Sequence, residues 1–244
     1  MAKTGWNNSG GGDPKSRSRG NAVRLNTGRG RKTSSSRWLQ RQLNDPYVAE
    51  AQRLGYRSRA AFKFKELDEK YDLLKGCTRI VDLGCAPGGW TQIICEKLRN
   101  KRAQVIGIDL QEVDPIAGAK MWVKDFMDDD AEKQLMDELE GPAHIVLSDM
   151  ANSSTGHKQT DHLRTMLLCE AALDFAIKVL DKDGKFVSKV LQGGSDHDLV
   201  KRMRLHFSSV KHAKPPSSRK DSTEWFVVAT GFKPETRALL DEDR

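Results

Sequence analysis

The chain has too few cysteines, in the wrong places, to staple a fold or hold a structural metal. Cys77, Cys85, Cys95 and Cys169 form no C-x-x-C pair and no Cys/His cluster of zinc spacing, which fits reduced thiols in a cytoplasmic compartment. No apolar run approaches the roughly 18 residues that a membrane span needs, and the N-terminus lacks the apolar stretch of a secretory signal. A soluble, cytoplasmic protein without a membrane partner or a bound metal is therefore expected. The G-x-G-x-x-G turn of a dinucleotide-binding fold is missing, as is any internal repeat. Acids are nearly missing from one end: residues 1–37 hold nine Lys or Arg against Asp13 alone, a local net of +8, which leaves the other 207 residues at −1 of the total +7.

That asymmetry divides the chain. Residues 1–36, rich in Gly, Ser and Arg, have too little apolar surface to offset their chain entropy by burial. They read as a disordered basic tail that meets a polyanion through counterion release, or as a solubilising leader. Residues 37–233 suffice for one catalytic domain with a real core, the chain being 37% hydrophobic over 244 residues. Residues 234–244 form a short C-terminal tail.

What is present is concentrated first in Ile80 to Thr91, IVDLGCAPGGWT. Ile80, Val81 and Leu83 read as a buried strand, and Gly84, Gly88 and Gly89 let the backbone turn sharply and approach a ligand closely. G-x-x-x-G-G is not the spacing that seats a pyrophosphate on a helix N-terminus, so the loop suits S-adenosylmethionine, which carries no phosphate. Gln104 to Asp109 (QVIGID) is a second apolar strand ending in an acid, and Asp109 is placed to accept the ribose hydroxyls of an adenosine cofactor.

Helices are predicted from Arg37 to about Leu43, over Tyr47–Leu54, Arg59–Tyr71, Gly89–Leu98, Asp130–Leu139 and Thr160–Leu180, the last with an apolar stripe of Leu163, Leu167, Ile177 and Leu180. Strands are predicted at Ile80, Gln104–Asp109, Met121–Val123, His144–Asp149 and Lys185–Leu191, the last after an Asp183-Gly184 turn. Such alternation implies a parallel sheet covered on both faces. Ser208–Lys211 and Trp225–Thr230 are joined by a loop too short and polar for a helical crossover, so they pair antiparallel. The fold class is α/β: a Rossmann-like methyltransferase sandwich with a mainly parallel seven-stranded sheet and an antiparallel C-terminal hairpin.

In such a sheet the site lies beyond the C-terminal ends of the strands. Lys63, Asp149, Lys189 and Glu224 fall at that edge or on a lid over it. Each alone could be a solvated face, a loop acid or a cap. Lys189 fits that reading least, because a lysine between apolar strand residues must lose hydration or find carboxylates.

RSRAAFKF, DLGCAPGGW, SDMA, FVSKVLQG and SSRKDSTEWFVVATG occur in an order and spacing that resemble the FtsJ/RrmJ (RlmE) family of ribosomal RNA 2′-O-ribose methyltransferases, over about residues 34–232. The resemblance implies methyl transfer from S-adenosylmethionine to a ribose 2′-hydroxyl, of a uridine in 23S ribosomal RNA of the large subunit. It also implies a monomer that acts on RNA and not on DNA. It implies a Lys63, Asp149, Lys189 and Glu224 tetrad, and cofactor contacts at Gly88, Trp90, Asp109, Asp125 and Asp149. Asn152-Ser153 stands where the bacterial enzymes continue Pro-Asn.

A 2′-hydroxyl needs in-line positioning and a proton acceptor. Lysine is a base only when neutral, and its unperturbed pKa of about 10.4 must fall for that. Lys189 is the candidate base, with the sign of its net shift left open by opposing neighbours. Ala51 to Lys65 has five Lys or Arg and no acid, and Lys201 to Lys220 seven and none. These segments sketch a basic groove with Arg57, Arg59, Lys214 and Arg219 as phosphate contacts, while the acids of Asp128 to Glu140 face away. A nicotinamide oxidoreductase lacks its glycine signature here, and a noncatalytic RNA-binding module has no use for the tetrad and the cofactor acids.

Overall fold

The computed structural model describes residues 39–152, 155–191 and 196–240; the basic tail, the helix start near Arg37 and Ser153 lie outside them. After a helical turn at residues 39–43, Asp45 caps helix α1 (Pro46–Arg53) by accepting from Tyr47 N at 3.0 Å. Pro46 stands at the first helical position, where a missing N–H costs nothing. Helix α2 (Ala60–Tyr71) follows. The core then alternates: β1 (Arg79–Leu83), α3 (Gly89–Leu98), β2 (Gln104–Asp109), β3 (Lys120–Val123), α4 (Ala131–Glu138), β4 (Ala143–Ser148), α5 (Lys158–Val179) and β5 (Leu180–Leu191). Helix α6 (Asp196–His206), β6 (Phe207–Ala213), β7 (Glu224–Phe232) and a 3₁₀ helix (Pro234–Leu240) complete it.

The seven strands lie in the order β3-β2-β1-β4-β5-β7-β6. The first five are parallel, and β7 runs antiparallel to both β5 and β6. This is the expected parallel sheet with an antiparallel C-terminal pair. Alternate residues face opposite sides, as the two-residue period of a strand requires. Ile80, Ile145, Leu147, Val187, Phe226 and Val228 pack with α2 and α3. Val81, Val146, Phe186, Val190 and Val227 pack with α4, α5 and α6 on the other face.

Three expectations need correction. Leu163 and Leu167 of α5 are 57% and 59% exposed, whereas Ile177 and Leu180 are buried as expected, together with Met166, Cys169, Ala172, Leu173, Ala176 and Val179. Small residues let this helix lie close to the sheet, and the larger leucines on another face misled the periodicity. The Asp183-Gly184 turn is absorbed into β5 as an irregularity: β4 advances from Ala143 to Ile145 while β5 advances from Leu180 to Lys185, with Asp183 at φ 62°. Finally, α6 is not among the expected helices, although Leu199, Val200 and Met203 form its buried stripe; charged residues of both signs around them mask the period.

The 3₁₀ helix is tied down by Arg237. Its guanidinium donates to Ile177 O at 2.9 Å and to Leu180 O, the free carbonyls at the end of α5, and lies 5.2 Å from the Phe232 ring centroid. Arg237→Ala is expected to cost about 1.5–3 kcal/mol, the range for hydrogen bonds to a charged group, measured as a shift in urea-unfolding midpoint at constant slope.

Candidate active site

Sheet register builds the site. Leu83 is paired with Ile108 on β2 and with Ser148 on β4, and Ser148 with Ser188 on β5. The next residue along each strand therefore falls in one row across the C-terminal edge: Asp109, Gly84, Asp149 and Lys189. Lys189 in turn faces Phe226 on β7. Strand parity then sets direction. Lys189 shares its face with Val187, Asp149 continues the face of Leu147, and Glu224 that of Phe226. All three turn toward α2 and α3, so α2 can deliver Lys63 to them.

Lys189 is buried, its side chain 7% exposed. Its ammonium lies 3.0 Å from Asp149 Oδ1, an ion-pair contact, while its directed hydrogen bond goes to Asp149 O at 2.7 Å. Lys63 pairs with Glu224 Oε2 at 3.1 Å and sits 5.7 Å from the Phe226 ring centroid. Burial pulls the Lys189 pKa down, the largest single influence, but Asp149 and then Glu224 together outweigh it and the net direction is upward. Lys189 is thus an ammonium at neutral pH in this arrangement. Burial pushes Glu224 up, yet Lys63 and then Lys189 hold it below the ordinary glutamate range. The structure brings the four ionisable residues together as two crossed ion pairs.

Beside them lies a cleft at the ends of β1, β2 and β4, bordered by Gly84, Asp109, Asp125, Phe126, Met127 and Met150. Gly84, at φ 74°, has no room for a side chain: a Cβ would stand 2.7 Å from Met150 N and Cα. Gly88, at φ 103°, opens α3, and a Cβ there would meet Ile116 and Arg57. Asp109 accepts from Ala86 N and Gln111 N, both at 2.9 Å, one on each oxygen. A carboxylate offers about four lone-pair directions, so both oxygens can still receive hydroxyls. Asp125 accepts from Met127 N at 2.9 Å and is otherwise exposed to the cleft. Two acids and an apolar floor fit a nucleoside-bearing cofactor.

Other expected site residues are used differently. The Trp90 indole is buried between Phe64 and Phe226, and its N–H donates to Ala60 O at 3.0 Å; it builds the wall between α2 and β7 and does not border the cleft. Arg57 donates to Asp114 O at 2.6 Å and Pro115 O at 2.8 Å, holding the loop after β2 against the glycine turn. Arg59 and Arg219 converge on Asp45. Lys214 donates to Ser222 O at 2.7 Å and lies 5.7 Å from the Trp225 ring centroid. Asp45, which carries both arginines, is not among the site residues expected from the sequence, where an Asp-Pro pair between two helices marks a turn.

Residues 56–232 match the family described as FtsJ-like methyltransferase. The chain belongs to that family. It is 58% identical over 210 residues to the ribosomal RNA large subunit methyltransferase E of Erythrobacter litoralis, covering 86% of this chain and 94% of that protein. It is 55% identical over 242 residues to the protein of the same name from a Ruegeria species, covering 96% and 100%. A crystal structure described as a ribosomal RNA methyltransferase of Plasmodium falciparum superposes with a TM-score of 0.63 at 33% identity, over 72% of this chain and 98% of that one. In this FtsJ-like methyltransferase the cleft and the crossed ion pairs share one sheet edge.

Asp82 lies directly beneath that edge and is fully buried. Its Oδ2 accepts from Thr91 Oγ1 at 2.6 Å and its Oδ1 has no partner. Burial, with Asp149 and Asp109 adding to it, pushes its pKa up to about 7 against the pull of Thr91. An unfolded aspartate titrates near 3.9, so between about pH 4 and 7 the native chain keeps a proton that the unfolded chain has released. Stability from this carboxyl is complete below that window and lost as pH rises through it. Asp82→Asn, which cannot ionise, should gain on the parent by about 2–3 kcal/mol between roughly pH 5 and pH 8. Urea unfolding of both proteins at the two pH values measures this; a constant difference would mean that another group titrates.

Proposed function

We propose that this FtsJ-like methyltransferase moves the methyl group of S-adenosylmethionine to the ribose 2′-hydroxyl of a uridine in 23S ribosomal RNA of the large subunit. The observation that carries the reading is the meeting of Lys63, Asp149, Lys189 and Glu224 at the sheet edge where Asp149 and Lys189 stand in the same row as the cofactor acid Asp109. The names of the relatives from Erythrobacter litoralis and Ruegeria support the RNA substrate. S-adenosylmethionine, when bound, supplies a methyl group on a positively charged sulfonium.

The residues of the chain divide the remaining work. Asp109 receives the ribose hydroxyls of the cofactor, Asp125 lies beside the adenine, and the Gly84 turn lets the backbone close on the cleft. Glu224 holds Lys63, and Asp149 holds Lys189, so both ammonium groups are oriented before substrate arrives. Lys189 takes the 2′-hydroxyl proton. Its resting charge means that it must first release a proton to solvent water, which added positive charge and further desolvation in the loaded site promote. The raised resting pKa favours a second reading, in which the Lys189 ammonium holds the 2′-oxygen and Asp149 accepts the proton.

RNA approaches over α2 and the residues between β6 and β7. Arg59 and Arg219 shape that groove from within, while Lys65 and Lys220 engage no described partner and meet phosphate. The basic tail, residues 1–36, adds affinity that depends on salt and not on sequence. The enzyme works as a monomer. Among the described residues no helix is long and apolar enough to cross a membrane.

Asp109→Ala should weaken S-adenosylmethionine binding by about 1.5–3 kcal/mol, read by calorimetry; unchanged affinity would remove Asp109 from the cofactor site. Lys189→Ala should fold and bind cofactor yet lose at least about a hundredfold in single-turnover methyl transfer. Lys189→Arg should not restore it, because arginine keeps its proton and its planar fork does not fit the lysine slot. Substantial recovery with arginine would instead support the second reading.

A further inference from the structure

Residues 214–223, between β6 and β7, hold none of the four tetrad side chains, yet they are tied at several points to α2 and to Asp45. Ser217 is buried, and its N and Oγ both donate to Glu66 Oε2, at 2.9 and 2.7 Å. Its carbonyl accepts from Arg59. Arg59, Lys63 and Glu66 are spaced by four and three residues, so one stripe of a helix faces this segment. Two residues beyond Ser217, Arg219 joins Arg59 on Asp45 at 3.1 Å. Near the end of the segment, Lys214 fixes Ser222 O at 2.7 Å. The Ser222 hydroxyl donates to Glu224 Oε2 at 3.2 Å and accepts from Glu224 N at 3.1 Å. That Oε2 is the atom that pairs with Lys63.

We propose that the β6–β7 segment is a positioning device for Glu224, anchored on α2 through Ser217 and ending in the Ser222 hydroxyl, which fixes the carboxylate between Lys63 and Lys189. A polar ten-residue connection left to itself samples many conformations, and a glutamate at a strand start has several rotamers. The Ser217 anchor removes the first freedom and Ser222 the second. Because α2 carries both Lys63 and the anchor, the helix and the carboxylate move as one unit. A misplacement of about 1 Å at a reacting centre can cost on the order of a hundredfold in rate, which is why a residue without substrate contact can matter here. This inference rests on the reading above, in which Glu224 serves methyl transfer.

The test uses the full-length protein, radiolabelled S-adenosylmethionine, and large ribosomal subunits from a strain lacking this methyltransferase. Single-turnover rates at saturating subunit, cofactor affinity by calorimetry and urea stability are compared for Ser222→Ala, Ser217→Ala, Glu224→Gln and the Ser222→Ala/Glu224→Gln double variant. Each serine variant should lose about ten- to a hundredfold in rate, the equivalent of one hydrogen bond to a charged group, with cofactor affinity unchanged. In the double variant, Ser222→Ala should add no loss to that of Glu224→Gln, as expected of a residue that acts through its neighbour. A Ser222→Ala rate within about twofold of the parent, beside an impaired Glu224→Gln, would overturn the positioning role and leave the proposed reaction intact. Additive losses would overturn it too, by placing the Ser222 effect elsewhere. A parent-like rate for Glu224→Gln would overturn the role of the tetrad carboxylate and this inference with it. Ser222 is half-buried, so the Ser222 series decides the matter if Ser217→Ala fails to fold.

Discussion

A lysine ammonium buried inside a central strand must be compensated, and the site is organised around that requirement. Lys189 loses nearly all its water on β5, and Asp149 on the adjacent strand supplies the nearest opposite charge. An isolated charge in such a place would be neutralised by a large pKa shift. Here the carboxylates win, and Lys189 stays charged. Glu224 adds a second negative charge, which Lys63 then balances from α2. Each of the four residues is explained by the need to neutralise another, so removing one leaves an uncompensated charge in a poorly hydrated place, where breaking a pair is costly.

The placement of this cluster was legible in the sequence to the extent that it follows from strand ends. QVIGID and HIVLSD each announce an apolar strand ending in an acid, and the register across β2, β1, β4 and β5 converts those endings into neighbours. Lys189 was legible because a lysine among valines is anomalous. The glycine turn was legible because G-x-x-x-G-G fits few backbone paths, and at Gly84 the path leaves no space for a Cβ.

What the sequence concealed is equally specific. Charge alone does not distinguish an arginine that faces solvent from one that staples a loop, so Arg57 and Arg59 read as phosphate contacts although both are committed to partners within the fold. Trp90 entered as a cofactor contact only through the family resemblance, and nothing in the sequence told that its ring fills the gap between Phe64 and Phe226. On α5, Leu163 and Leu167 carried the stronger hydrophobic signal, but the helix turns Cys169, Ala172 and Ala176 to the sheet. In each case tertiary context decided among faces that a one-dimensional pattern leaves equivalent.

The strand order has a consequence for how the enzyme comes into being. Because β7 lies between β5 and β6, everything made before it forms a sheet that ends at β5 and a separate strand β6 with nothing to pair to. Both edges stay open until residues 224–232 arrive and close them together, and the β5–β7 pairing, which spans α6 and β6 in sequence, is of the non-local kind that slows folding. The same strand brings Glu224. A partly synthesised chain can therefore hold its glycine turn, Asp109, Asp125 and even Lys189, yet remain without the carboxylate that pairs with Lys63, so the ionic cluster and the sheet are completed in one event.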